Sequence, residues 1–180
     1  GSEMCIRDRS GDVMNIKKIR VDKEGAGMGW GAVYAQYLES MDQISGQGNG
    51  LSVSRQLYKG DEALNESAPL KVGDRITVRL TVKADRDMDF VQIKDDRAAC
   101  MEPLQAVSGF RWSNGLGYYQ ATKDASTQFF IDQMRKGTYV IEYQVYVNRT
   151  GEYQAGIATV QSAYAPEFGG HTGGYRVMVE

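Results

Sequence analysis

The sequence predicts an all-β chain: an antiparallel two-sheet sandwich with a short β segment ahead of it. Three observations carry this expectation. Short runs of alternating apolar and polar residues recur along the chain. Turns rich in Gly, Asn and Asp separate them, with only 3 prolines in 180 residues. No stretch sustains a 3.6-residue period or an internal repeat of solenoid length.

The elements follow in order. Residues 1–12, with the polar start GSEMCIRDRS, read as tag- or adapter-derived or as disordered, and not as fold, so Cys5 takes no part in site reasoning. Residues 13–49 read as a β segment and linker. Asn15-Ile-Lys-Lys-Ile-Arg-Val-Asp and Trp30-Gly-Ala-Val-Tyr-Ala-Gln-Tyr-Leu form a hairpin around Glu24-Gly-Ala-Gly-Met-Gly, Ser40 to Ile44 supplies one helical turn, and Met41 to Gly50 has linker composition. The sandwich is assigned to residues 50–180. It opens with Leu51, Val53, Arg55 and Leu57 on one face. Ile76, Val78, Leu80 and Val82 then make the clearest half-buried strand. After the charged turn Asp85-Arg-Asp-Met-Asp come Phe90-Val-Gln-Ile-Lys, Gly117-Tyr-Tyr-Gln-Ala and Thr127-Gln-Phe-Phe-Ile-Asp. Tyr139, Ile141, Tyr143, Val145 and Val147 share the next face, and Gly151 to Tyr164 and Tyr175-Arg-Val-Met-Val complete the set.

Charge and hydropathy narrow the function classes. Lys+Arg at 21 against Asp+Glu at 23 leaves no excess of positive charge to draw a phosphate backbone, so nucleic acid is not an expected partner. The longest apolar runs fall far short of the ~20 residues of a membrane helix, and no span is expected.

The chemical candidates weaken one by one. His171 is the sole histidine, so a metal site there would need carboxylates alone beside it. Glu167 stands four residues before it, but the glycines between and after oppose a helix that would align the two. The glycines make neither G-x-G-x-x-G opening a helix nor a P-loop. Asp85, Asp87 and Asp89 imitate part of a calcium loop, yet Phe90 and Asp96 occupy the places of its Gly and Glu, which leaves a solvated hairpin turn. Cys100 lacks a catalytic signature and reads as a structural thiol. No catalytic residue, metal ligand or cofactor site is therefore expected. The stretch SAYAPEFGGHTGG reads as a crossover. Tyr164 faces the core, Pro166 ends a ladder, Gly169 to Gly174 supply positive φ, and His171 rides in solvent.

Several stretches, taken in order, resemble the C-terminal region of bacterial alpha-2-macroglobulin-like proteins. The carriers are GWGAVYAQYLESMDQI, LSVSRQLY, PLKVGDRITVRLTVKADRDMDFVQIKDDRAACMEP and GYYQATKDASTQFFIDQMRKGTYVIEYQVYVNRTGEYQAGIATVQSAYAPEF. The resemblance implies an immunoglobulin-like, macroglobulin-type sandwich of the MG10 kind. It would stand after the thioester domain of a protease-trapping protein of the periplasm or cell envelope, so the chain reads as a fragment of something longer. The family thioester is C-x-E-Q. Here Cys100-Met101-Glu102-Pro103 ends in proline, which has no amide to acylate the thiol.

The resemblance implies a non-enzymatic domain whose partners are the neighbouring macroglobulin-type and thioester domains, with proteases reached only through the parent. Ordinary interfaces bury ~800 Å² per partner. Loop aromatic and Arg residues are the expected anchors: Arg111, Trp112, Tyr118 and Phe168. The rival reading is a carbohydrate-binding or adhesive module of a cell-surface protein, stacking sugars on Trp112, Tyr118 and Tyr119.

Overall fold

The computed structural model describes residues 22, 24–30, 38, 40–65 and 68–180. The expected hairpin over 15–38 lies outside the described residues apart from 22, 24–30 and 38. The chain divides into two compact units, Gly1–Leu38 and Glu39–Glu180, and the second holds every strand considered below.

The second unit is a two-layer antiparallel sandwich, as the alternation predicts. One layer runs β6 (Met101–Pro103), β10 (Gly137–Val147), β4 (Arg75–Ala84), β2 (Leu51–Lys59), with β3 (Glu62–Ala63) on the end of β2. The other runs β12 (Ala158–Ser162), β5 (Met88–Asp96), β9 (Ser126–Met134), β8 (Leu116–Thr122), β7 (Gly109–Ser113). Two short strands, β1 (Gln47–Asn49) and β13 (Gly169–His171), carry the hydrogen bonding from β2 round to β12. β11 (Gly151–Ala155) and β14 (Tyr175–Val179) form a separate pair.

The period-two pattern of β4 and β10 sets their register. Tyr139 lies opposite Val82, Ile141 opposite Leu80, Tyr143 opposite Val78 and Val145 opposite Ile76, so one apolar face is continuous across both strands. Ile76, Leu80, Val82, Ile141 and Val145 are fully buried against Phe129, Ile131, Val91 and Ile93 of the facing layer. The Phe129 and Tyr143 rings meet across the layers at 5.9 Å. Cys100 is buried in this core, and burial pushes its thiol up, which suits a packing residue and opposes a nucleophile.

A polar cluster sits inside the apolar sandwich. Arg55 of β2 reaches across to Asp95 of β5 at 2.5 Å and also donates to the carbonyls of Asp96 and Gly156. The Tyr143 hydroxyl donates to the other Asp95 oxygen at 2.7 Å, and the Arg55 guanidinium lies 4.5 Å over the Tyr175 ring. Burial holds the Asp95 carboxyl above its ordinary range, with Arg55 and Tyr143 pulling it back. The same burial raises the Tyr143 hydroxyl well above its usual value and pushes Tyr175 up to about 12.

That yields a prediction at alkaline pH. Both tyrosines have raised folded-state values, so the unfolded chain loses their protons first, near its ordinary value of 10.0. Their contribution to stability is therefore complete below about pH 10 and falls as pH rises through about 12. Urea midpoints taken across that window should decline, and tyrosinate absorbance should show Tyr143 and Tyr175 titrating late. A flat midpoint would contradict the buried placement.

The glycine-rich crossover differs from its sequence reading in three respects. Gly169–His171 is a strand, paired with β1 on one side and β12 on the other. None of Gly169, Gly170, Gly173 and Gly174 has positive φ. Close approach requires glycine instead: a Cβ on Gly170 would meet the Leu51 carbonyl oxygen at 2.6 Å and that of Gln47 at 2.8 Å, and one on Gly48 the Leu51 oxygen at 2.5 Å. His171 is half-buried in the ladder rather than free in solvent, with Nδ1 3.1 Å from the Thr172 carbonyl. Part of the stretch read as linker is likewise strand β1, after a 3-10 turn at Met41–Gln43.

Candidate interaction surface

The solvent face of the β12-β5-β9-β8-β7 layer carries the distinctive chemistry of the domain. Register lines up Phe110, Tyr119, Phe130 and Gln92 in one row across β7, β8, β9 and β5. Phe110 is 81% exposed, with the Tyr119 ring edge-on at 5.1 Å. Trp112, two residues along the same face, is 77% exposed. Its ring lies on Gly117, directly opposite, where a Cβ would meet ring carbons at 2.8 and 2.9 Å. The glycine lets the indole lie flat.

The β7–β8 hairpin places these side chains. Asn114 and Gly115 both have positive φ, 50° and 78°, the two-residue turn whose twist matches antiparallel strands. Asn114 also donates to the Val140 carbonyl.

At the other end of the face stands Phe90, a non-glycine residue at φ 53°. Inward-facing positions change parity there: Met88 points in before it, Val91, Ile93 and Asp95 after it. Asp132, which the register sets opposite Phe90, marks the same change in β9, between Phe129 and Ile131 on one side and Met134 on the other. The flip turns the Phe90 ring outward, where Tyr164 meets it edge-on at 5.1 Å.

Tyr164 is 79% exposed, against the expectation that it faces the core. Its loop is pinned on both flanks. Ser162 and Phe168 close it by a backbone bond, Ala163 donates to the Phe90 carbonyl, Asn49 donates to the Glu167 carbonyl and Gln161 to that of Pro166. Between Phe90 and Trp112 the surface sinks into an open hollow of about 1040 Å³, edged by Asp89, Asp132, Gln133 and Arg135.

The four anchors expected from sequence do not converge. Trp112 belongs to this face. Arg111 is half-buried on the other side of β7, with long contacts of 3.4 Å to Gln120 and the Val107 carbonyl. Tyr118 is turned into the core at 5% exposure, edge-on to Phe129, which also removes it from any sugar-stacking platform. Phe168 is half-buried near Gly50, under the Arg86 guanidinium at 4.5 Å. Sequence reasoning missed Phe90, Phe110, Phe130 and the exposure of Tyr164. The Asn114-Gly115 turn was the available signal for Phe110, since it fixes the hairpin and puts residues 110 and 112 on one face.

Among the described residues no three His, Cys, Asp or Glu side chains are grouped so as to hold a metal ion. Asp85 pairs with Arg86, and Asp87 accepts from the Lys136 amide, so the acidic run caps turns.

An antiparallel sandwich with an exposed aromatic face is thus the class of module on view, and comparison with known proteins gives it a family. The pattern of the bacterial alpha-2-macroglobulin MG10 domain matches residues 50–167, and the chain belongs to that family. Among solved structures it is similar to Escherichia coli alpha-2-macroglobulin activated by porcine elastase, with a TM-score of 0.65 and 16% identity over 76% of this chain and 14% of that one. It is also similar to Salmonella alpha-2-macroglobulin reacted with methylamine, with a TM-score of 0.62 and 20% identity over 75% of this chain and 10% of that one. At these identities the likeness shows the macroglobulin-type fold. A curated relative, circularly permutated Ras protein 2 of Dictyostelium discoideum, is 28% identical over 138 residues, 73% of this chain and 4% of its own length. The chain therefore spans a small part of each of these relatives. No helix among the described residues is long and apolar enough to cross a membrane.

Proposed function

We propose that this chain is a non-catalytic structural and interaction domain of a bacterial alpha-2-macroglobulin-like, protease-trapping protein of the periplasm or cell envelope. Its aromatic face packs against neighbouring macroglobulin-type and thioester domains of the same polypeptide. Proteases are engaged by the parent and not by this domain.

The observation that carries the reading is the Phe90–Tyr164 pair. A phenylalanine held in the left-handed region costs on the order of 1–3 kcal/mol, and here that conformation serves to hold two apolar rings out in water. Such an arrangement fits a surface completed by a partner. The resemblance of fold to multidomain alpha-2-macroglobulins supplies the partner class, and Phe130 extends the same surface.

Hydroxyl-radical footprinting tests this on the full-length parent and on the 180-residue chain alone. Tyr164 and Phe90 should label readily in the isolated chain and be protected in the parent. Equal labelling in both would defeat the proposal.

A further inference from the structure

The sheet ends at β7, and its outer edge is built to accept another strand. Across a two-residue hairpin the flanking residues, Ser113 and Leu116, form a hydrogen-bonded pair, and pairing then alternates. Arg111 and Gly109 thus direct their main-chain groups to β8, while Phe110 and Trp112 turn theirs away from it. Among the described residues no backbone group bonds to Phe110 or Trp112 on that outer side. Edge strands are normally blunted by proline, lysine or a bulge. Gly109–Ser113 contains no Pro or Lys, and its register with β8 is unbroken.

We infer that β7 binds an extended, acidic peptide segment supplied in trans, added as a further strand at the sheet edge. Main-chain groups of Phe110 and Trp112 provide the ladder, and their exposed rings receive the apolar side chains of alternate peptide positions. Arg111, on the opposite side of β7, selects the charge. No carboxylate lies within ion-pairing distance of it among the described residues, and its two contacts are long. An acidic residue beside it in the added strand supplies the missing partner. A second copy of β7 fits poorly: the antiparallel register that pairs Phe110 with Trp112 sets Arg111 against Arg111, and like charges directly opposite destabilise a ladder.

The inference concerns the edge alone and does not depend on the parent protein. The test uses the 180-residue chain carrying Trp30→Phe, so that Trp112 is the one fluorophore of its kind. The probe is a synthetic peptide of about nine residues, apolar at alternate positions with a central Asp between them. It should shift Trp112 emission saturably. A version with Lys for Asp should bind about fivefold more weakly, and one N-methylated on its ladder-forming amides about tenfold more weakly. Arg111→Glu should reverse the order of the Asp and Lys peptides. Equal binding of the N-methylated peptide, absence of saturation, or emission that follows chain concentration because the chain pairs with itself would each overturn the assignment.

Discussion

Asp95→Ala is expected to remove about 3–5 kcal/mol of folding free energy, because it leaves the Arg55 guanidinium buried without its counter-charge. The side chains involved are 4% and 1% exposed, so water cannot take over the lost contact. Tyr143 also loses the acceptor of its hydroxyl. The pair need not be a large net source of stability for this to hold, since removing both charges also removes both desolvation costs. The double variant Arg55→Met with Asp95→Leu should therefore recover most of the loss. Urea denaturation of the single and double variants separates the two statements. A single-variant cost below about 1 kcal/mol would mean that the cluster is hydrated and loosely held.

Gly170→Ala is expected to cost about 1–3 kcal/mol. The added methyl faces the backbone oxygens of Leu51 and Gln47 at 2.6 and 2.8 Å and the Gly48 Cα at 3.1 Å, and backbone cannot rotate aside as a side chain can. The strain falls where β1 and β13 join one layer to the other, so the melting temperature should fall by several degrees. Gly109→Ala is the control, because nothing lies within 4 Å of its Cβ position and its φ is not positive. It should be near neutral. Equal effects at the two sites would show that loss of glycine flexibility matters here and close packing does not.

These two sites show how far sequence can be read. Alternation made β4 and β10 legible because each buries one face, and the period of a strand is a local property. Arg55 was already visible on the inward face with Leu51 and Val53. Its partner lies 40 residues away, and pairing across layers depends on which strands face one another. The glycine run of the crossover signals constraint in the sequence and suggests torsion as its cause, whereas the structure assigns it to packing. A glycine needed for room and one needed for positive φ look alike in a single sequence. Of the interaction face, Trp112 was legible as an aromatic beside a turn. Tyr118 was misplaced because alternation in a strand of ambiguous register does not say which of two adjacent tyrosines is outside. Tyr164 is exposed because β12 ends at Ser162, so the alternation that would carry residue 164 inward stops two residues short of it.

The proposed role of the aromatic face in a protease-trapping parent is tested by assaying the full-length parent for protection of a large protein substrate from an added protease. Wild-type parent should protect, and parent carrying Phe90→Ser with Tyr164→Ser should protect about fivefold less or worse, while the isolated 180-residue variant keeps its urea midpoint within error. Undiminished protection by the variant, or a wild-type parent that leaves the substrate open to cleavage, would rule that role out.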